Sequence, residues 1–517
     1  MSGRAGVLLH PTALPGPGGC GSFGRHAHDW LSLLGRHGIG VWQLLPLAPP
    51  DGTGSPYSSP SGSALNPWLL DRERLLEQGF LDPAAAADGD ADGTADGIEA
   101  DPGEGPPERL DPARQDRRAQ ALGRALAQHW PNQSRQRQRA LRRWCRRERF
   151  WLRDHCRFMV LRRQQQGRPW WQWPEPLARR RPGALRRFDR GHRQELLAET
   201  LLQWLAQQEW QALRRHAARE GVSLFGDLPF YVAHDSADVW SRPGLFSLAQ
   251  GGGLEEQSGV PPDYFSATGQ LWGTPVYRWR RHLLTGFSWW LGRLQRQLEL
   301  FDLLRLDHFR ALEAYWSVPG GAATAQDGRW RPSPGHLLLS ALWLRLALRG
   351  GLVGGRLPLV AEDLGVITPA VEALRDRHRL PGMKILQFAF DGNPDNPYLP
   401  ANIHGSGWVV YTGTHDNATA AGWWRGVDDE LRGRVQTVLG AAVTAPGWQL
   451  LELALRTPAE LVVVPLQDLL ELGDEARFNT PGTLGANWTW RLERPIEHLD
   501  GPLKGYGELA SRHSRSA

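Results

Sequence analysis

The sequence predicts an α/β protein built as a (β/α)8, or TIM, barrel, and three observations carry the prediction. Eight short, largely apolar runs are spread along the chain, each leading into polar residues: 7–10, 41–43 with Pro46, 222–227, 301–306, 357–361, 383–387, 408–415 and 461–465. Stretches with helical spacing of apolar residues, such as 27–35 and 369–377, separate several of them. Three runs end on a carboxylate: Asp307, Glu362 and Asp416. A strand covered on both faces reads as a continuous apolar run, and strand-then-helix alternation is the grammar of a parallel sheet. In a closed barrel of that kind the reactive side chains gather at the carboxyl ends of the strands. A doubly wound open sheet shares this local grammar, and periodicity alone does not separate the two.

Taken in order, the first two runs are followed by the longest excursion, residues 55–220. Its first part, 82–115, is rich in Ala, Asp, Gly, Glu and Pro with few large apolar residues. Such a composition buries too little surface to offset its ordering entropy, so a mobile surface loop is expected. From 116 to 218 the chain turns to Arg, Gln, Leu and Trp with helical spacing, which predicts a helical subdomain packed on the barrel. A smaller insertion, 230–300, carries turn residues and aromatics and suits a rim or lid beside the active face. After the run at 461–465 about fifty residues remain, too few for a further typical domain, so no C-terminal β-sandwich is expected and 505–517 reads as a flexible tail. With 517 residues and 41% hydrophobic content, the whole chain reads as one catalytic domain with insertions.

Charge and cysteine usage narrow the partners. The net charge of +5 comes almost wholly from arginine, Lys384 and Lys504 being the lysines. Arginines cluster at 135–147 and 179–187, but no nucleic-acid motif accompanies them, and solvated helix faces are the favoured reading over a nucleic-acid or membrane patch. Cys20, Cys145 and Cys156 have neither metal-ligand spacing nor an even count. Together with the lack of a signal-like start or a bilayer-length apolar stretch, this predicts a cytoplasmic protein.

Two carboxyl groups flanking a glycosidic bond divide the work: one attacks the anomeric carbon, the other protonates the leaving oxygen and later deprotonates the incoming hydroxyl. Asp307 and Glu362 are the natural pair, on runs that become neighbours if chain order is barrel order; a retaining mechanism needs them roughly 5–5.5 Å apart. Arg305, two residues before Asp307, shares its strand face and is placed to be its counter-ion. Asp416 is then a third acid, placed to stabilise oxocarbenium-like charge, and His308 and His415 adjoin two of the acids as hydroxyl donors. Among the 25 tryptophans, Trp144, Trp151, Trp170 and Trp171 read as packing residues. Trp272, in the Gly- and polar-rich loop 263–273, is the candidate sugar platform.

At these motifs the chain resembles the 4-α-glucanotransferases, the amylomaltases or disproportionating enzymes of glycoside hydrolase family 77. The resemblance rests on Arg305-Leu306-Asp307-His308-Phe309-Arg310, Ala361-Glu362-Asp363-Leu364-Gly365 and Thr412-Gly413-Thr414-His415-Asp416-Asn417. It continues through Ser55-Pro56-Tyr57, Gly226-Asp227-Leu228-Pro229, Gln467-Asp468, Arg477-Phe478-Asn479 and Asn487-Trp488-Thr489-Trp490-Arg491. It implies Asp307 as nucleophile, Glu362 as acid and base, and Asp416 as transition-state stabiliser. It further implies that Tyr57, Asp227, Trp272, Arg305, His308, His415 and Asn479 line the subsites and that the 263–273 loop guides the glucan. The implied partners are α-1,4-glucans, namely maltooligosaccharides, amylose and glycogen-derived chains, with glucose as an acceptor; no metal or organic cofactor is expected. Ala311, Thr274 and Ala401 depart from the family pattern, which commonly has Gly, Asn and His there. Residue types do not separate transfer from hydrolysis, so an α-amylase-like hydrolase is the first rival. A noncatalytic glucan-binding scaffold is the second, opposed by the presence of all three acids.

Overall fold

The computed structural model describes residues 3–82, 109–262, 266–483 and 485–515. In chain order its strands are β1 (Arg4–Leu8), β2 (Val41–Gln43), β3 (Ser223–Leu228), β4 (Glu256–Val260), β5 (Gln270–Pro275), β6 (Leu303–Leu306), β7 (Ala314–Pro319), β8 (Arg329–Pro332), β9 (Leu359–Ala361), β10 (Gly382–Ile385), β11 (Trp408–Tyr411) and β12 (Leu461–Pro465). Every one of the eight expected runs supplies a strand of one parallel sheet, ordered β10-β11-β12-β1-β2-β3-β6-β9. The order follows the chain without the reversal a doubly wound sheet requires. The two ends meet where the Ala361 N–H donates to the Pro381 carbonyl at 2.8 Å, beside β10, so the sheet curls into a nearly closed barrel.

Burial explains why these runs are so apolar. Residues Leu461 to Val464 and Leu359 to Ala361 are fully buried, between the barrel interior and the surrounding helices. Helix Arg25–Arg36 covers the β1–β2 side and sets Trp30 edge-on to Trp42, ring centres 6.3 Å apart. Gly226 in β3 permits one close approach: a Cβ there would lie 2.3 Å from the Phe301 ring, next to the functional end of the strand.

The insertion between β2 and β3 is helical, with Pro112–His129, Arg135–Arg147, Leu152–Gln164, Pro182–Gly191 and Arg193–Arg219 as its longer helices. Trp144, Trp151 and Trp170 are buried there, as packing residues should be. Helical structure begins at Pro112, four residues earlier than expected. Asp111 accepts from the Ala113 and Arg114 N–H groups at 2.9 and 3.1 Å, and proline is tolerated at a first helical position, so Asp-Pro opens a helix. The part of the expected loop at 83–108 lies outside the described residues.

Three further expectations need correction. Within 230–300, helix Ser288–Leu300 is the barrel's own outer helix before β6, with Trp290 and Leu294 buried. The rim is instead an antiparallel sheet, β5-β4-β7-β8, half of it contributed from beyond β6. Its outer strands carry polar residues and are only partly covered, so they lack the apolar pattern that marks a barrel strand. Trp272 therefore sits on an edge strand rather than in a loop. Finally, 505–517 is no flexible tail as far as Arg515. Helix Asp500–Arg512 buries Leu503, Tyr506 and Leu509, and the Tyr506 hydroxyl donates to the Gly6 carbonyl and accepts the Gly6 N–H, each at 3.1 Å. Residues after β12 form helices and turns, with no β-sandwich among those described.

Candidate active site

Parallel register places the first two acids. Asp227 in β3 and Arg305 in β6 are direct ladder partners, so their side chains leave the same face of neighbouring strands. Just past β6 the Asp307 N–H donates to the Leu228 carbonyl at 3.1 Å, and just past β9 the Glu362 N–H donates to the Leu306 carbonyl at 3.2 Å. Each acid thus extends its strand by one rung, and both face one mouth of the barrel.

Arg305 is the centre of this mouth. Its Nη1 lies 2.9 and 2.8 Å from the two oxygens of Asp227 and 2.9 Å from Oδ1 of Asp307. Burial opposes the guanidinium charge, but the two carboxylates outweigh it and hold Arg305 well above its ordinary pKa. The Tyr57 hydroxyl donates to Asp227 Oδ2 at 2.7 Å and lies 2.8 Å from His415 Nε2. With the phenol proton committed to Asp227, His415 must carry its proton on Nε2 to complete that contact, and the same nitrogen is 3.4 Å from Asp416 Oδ2. The Tyr57 and His415 rings are stacked, 5.2 Å between centres and 10° between planes.

Asp416 lies in the turn after β11 and is fixed from the far side by Asn479, whose Nδ2 donates to its Oδ1 at 2.7 Å. Arg477 holds both partners by their backbones, donating to the carbonyls of Asp416 at 2.8 Å and Asn479 at 2.9 Å. Glu362 Oε2 accepts the His308 N–H at 2.7 Å, and Oε1 accepts the Leu364 N–H at 3.2 Å. Burial pushes the Glu362 carboxyl up to about 7; Arg305 pulls against this and Asp307 adds to it. A carboxyl at that value exists in both protonation states near neutrality. His308 has left-handed backbone (φ 50°), and loss of solvation holds its half-buried imidazole down to about 4, so it is neutral. Its ring meets Trp272 edge-on at 4.8 Å.

All ten residues singled out in the sequence are therefore joined, seven through the Arg305–Asp227–Tyr57–His415 network and Glu362, His308 and Trp272 beside it. Three contributors were not assigned to the site from the sequence, although Trp488 and Asp468 lie in the motifs that carry the resemblance. Trp488 packs 5.6 Å from Tyr57 and 6.0 Å from His415, and Tyr231 lies 6.0 Å from Trp272. Asp468, 1% exposed, accepts the Thr412 hydroxyl at 2.6 Å and the Ala420 N–H at 2.7 Å, closing both ends of the segment that carries His415 and Asp416. Asp468 follows the apolar run of β12 at a short distance, as Asp416 follows that of β11. Among the described residues no group of three or more His, Cys, Asp or Glu side chains is arranged to hold a metal ion.

A parallel barrel with three acids gathered around one mouth has the architecture and side-chain chemistry of enzymes that act on glycosidic bonds. A family model for the 4-α-glucanotransferases of glycoside hydrolase family 77 matches residues 9–497. The chain is 42% identical over 512 residues to a 4-α-glucanotransferase of Synechocystis sp., covering 98% of each, and 42% identical over 505 residues to one of Thermus thermophilus, covering 94% of each. The amylomaltase of Streptococcus agalactiae, solved in complex with acarbose, superposes over 100% of both chains with a TM-score of 0.91 at 30% identity. The chain belongs to the 4-α-glucanotransferases of glycoside hydrolase family 77, the retaining transglycosylases also called amylomaltases.

Proposed function

We propose that Asp307 attacks the anomeric carbon of an α-1,4-linked donor while Glu362 donates its proton to the leaving 4-oxygen. This forms a β-linked glycosyl ester on Asp307 and releases the reducing-end fragment. Glu362, now a carboxylate, takes the proton of an incoming 4-hydroxyl, whose oxygen attacks the same carbon and displaces Asp307. One α-1,4 bond is broken and one made, so chain lengths are redistributed while the number of linkages stays constant.

The observation that carries this assignment is the asymmetry between the two acids. Asp307 lies against the Arg305 guanidinium at 2.9 Å, whereas Glu362 is held by burial to about 7, as a nucleophile and a proton donor respectively require. Asp416, with His415 on one side and Asn479 on the other, is assigned to positive charge developing at the sugar ring. His308 Nε2 and Arg305 Nε are buried without a protein partner among the described residues, which suits them to substrate hydroxyls. Trp272, half-buried at the rim, is assigned as a sugar platform, and acarbose in the Streptococcus relative favours a glucan-shaped cleft here. Maltooligosaccharides, amylose and glycogen-derived chains are the proposed donors, with glucose among the acceptors and the cytoplasm as the site of action. No helix among the described residues is long and apolar enough to cross a membrane.

Incubation with maltotriose tests the reading. A ladder of longer maltooligosaccharides with glucose release and constant reducing ends is expected, and Asp307→Asn should lower the rate on the order of a thousandfold or more. Rising reducing ends without longer products would make hydrolysis the main reaction, and near-normal activity of Asp307→Asn would remove the nucleophile assignment.

A further inference from the structure

Away from the barrel mouth, the helical insertion forms an open cavity of about 940 Å³ that none of the ten site residues touches. Helices Arg135–Arg147, Leu152–Gln164, Pro182–Gly191 and Arg193–Arg219 contribute to its wall. Five arginines line it: Arg147, Arg149, Arg153, Arg157 and Arg193. The one carboxylate in the lining is Asp189, and it is already occupied. It accepts from Arg157 Nε at 2.8 Å, from Arg157 Nη2 at 2.5 Å and from Arg153 Nη2 at 2.9 Å. Arg147 is paired with Glu148 behind the wall at 2.9 Å. Arg149 and Arg193 have no carboxylate within ion-pair distance among the described residues.

Five guanidinium groups facing two carboxylates leave a concave surface with a clear positive excess. Arg157 is buried, and Arg147, Arg149, Arg153 and Arg193 are exposed around the same concavity, where like charges above a low-dielectric floor reinforce one another's field. The floor is apolar, formed by Leu152 and Cys156, each 4% exposed, with Phe150 and Leu196 half-buried beside them. Arg157 is 7% exposed and locked by its two-pronged contact with Asp189, so part of the guanidinium array is preorganised. Guanidinium forks match the oxygen spacing of phosphate, and a volume near 900 Å³ accommodates a small organic molecule rather than a bare ion.

We propose that this cavity binds a phosphate-bearing small metabolite, its phosphate held by Arg149 and Arg193 beside the fixed Arg157–Asp189 pair and its organic part lying on the Phe150–Leu152–Leu196 floor. A sugar phosphate and a nucleotide both carry this chemistry. The site is separate from the glucan cleft, so occupancy does not require a glucan.

Calorimetric titration of the full chain with glucose 6-phosphate, ADP and inorganic phosphate, at about 0.15 M salt to screen loose surface attraction, tests it. Saturable binding of one equivalent of an organic phosphate is expected, whichever of the two sources it is, with inorganic phosphate weaker. Arg149→Ala with Arg193→Ala should weaken that binding by tenfold or more while maltotriose disproportionation stays unchanged, since neither residue belongs to the catalytic mouth. Single Arg193→Gln, which keeps the stem but removes the charge, should weaken it in the same direction if the double variant folds poorly. The proposal is overturned if no organic phosphate binds, if the arginine variants bind as well as the parent, if inorganic phosphate binds as tightly as the organic ligands, or if only a polynucleotide binds.

Discussion

Glu362 owes its value of about 7 to place, since the same side chain in an unfolded chain titrates at 4.5. Between those two values the native state keeps a proton that the unfolded chain has released. Native proton uptake exceeds that of the unfolded state, so this group makes stability fall as pH rises through the window, and its cost is complete above about 7. Glu362→Gln removes the cost. Calorimetry should find the variant melting above the parent at about pH 8 and level with it at about pH 4, although its transfer activity is lost. Equal melting at the alkaline value would mean the carboxyl is not raised. In the parent, the glycosylation step should slow as pH climbs past about 7, because the proton donor is then a carboxylate.

The turn after β11 illustrates control at the level of an element. Asp416 has no strand of its own to fix it; the segment from Thr412 to Ala420 is closed by Asp468 at both ends, and Asn417 accepts from the Thr414 N–H and hydroxyl at 2.9 and 2.8 Å within it. Burial raises the Asp468 carboxyl to about 6, the penalty its two donors must offset. Asp468 is therefore a positioning residue. Asp468→Ala should lower kcat on the order of a hundredfold through misplacement of Asp416 with little change in circular dichroism. Asp468→Asn should recover most of the loss, since its carbonyl can accept the Ala420 N–H while its amide donates to Thr412. An Asn variant as impaired as the Ala variant would mean that charge, not hydrogen bonding, is what the loop needs. The rim sheet is a second case: β7 and β8 carry no long apolar run, and β5 is a partly covered edge, so neither composition nor period announces them.

Across the whole molecule the two ends of the chain stabilise each other. The Tyr506 hydroxyl bridges β1 and β12, donating to Gly6 and lying 3.3 Å from the Val462 carbonyl, and Arg515 donates to the carbonyls of Leu455 at 3.0 Å and Ala459 at 2.7 Å. Tyr506→Phe keeps the ring but removes the buried hydroxyl that bonds Gly6 and reaches Val462, a cost of about 1–2 kcal/mol. A drop in melting temperature of about 1–3 °C with unchanged kcat is expected in a chain this long. An unchanged melting temperature would show that water replaces the hydroxyl.

The sequence by itself determined the eight barrel strands and the acids at their ends. A strand covered on both faces must be apolar whatever its neighbours are, and the first polar residue after it must be where the sheet meets water or substrate. Asp307 and Glu362 were legible for that reason, each directly past its strand, whereas Asp416 and Asp468 lie further on, after other polar residues, and only the apolar runs before them pointed that way. Tertiary structure alone decided how those ends are wired. Arg305 pairs with Asp227 from a strand 78 residues away, Tyr57 reaches His415 across 358, and Tyr506 reaches Gly6 across 500. Such contacts depend on which segments closure of the barrel brings together, and a hydrogen bond between distant residues leaves no period in the chain that forms it.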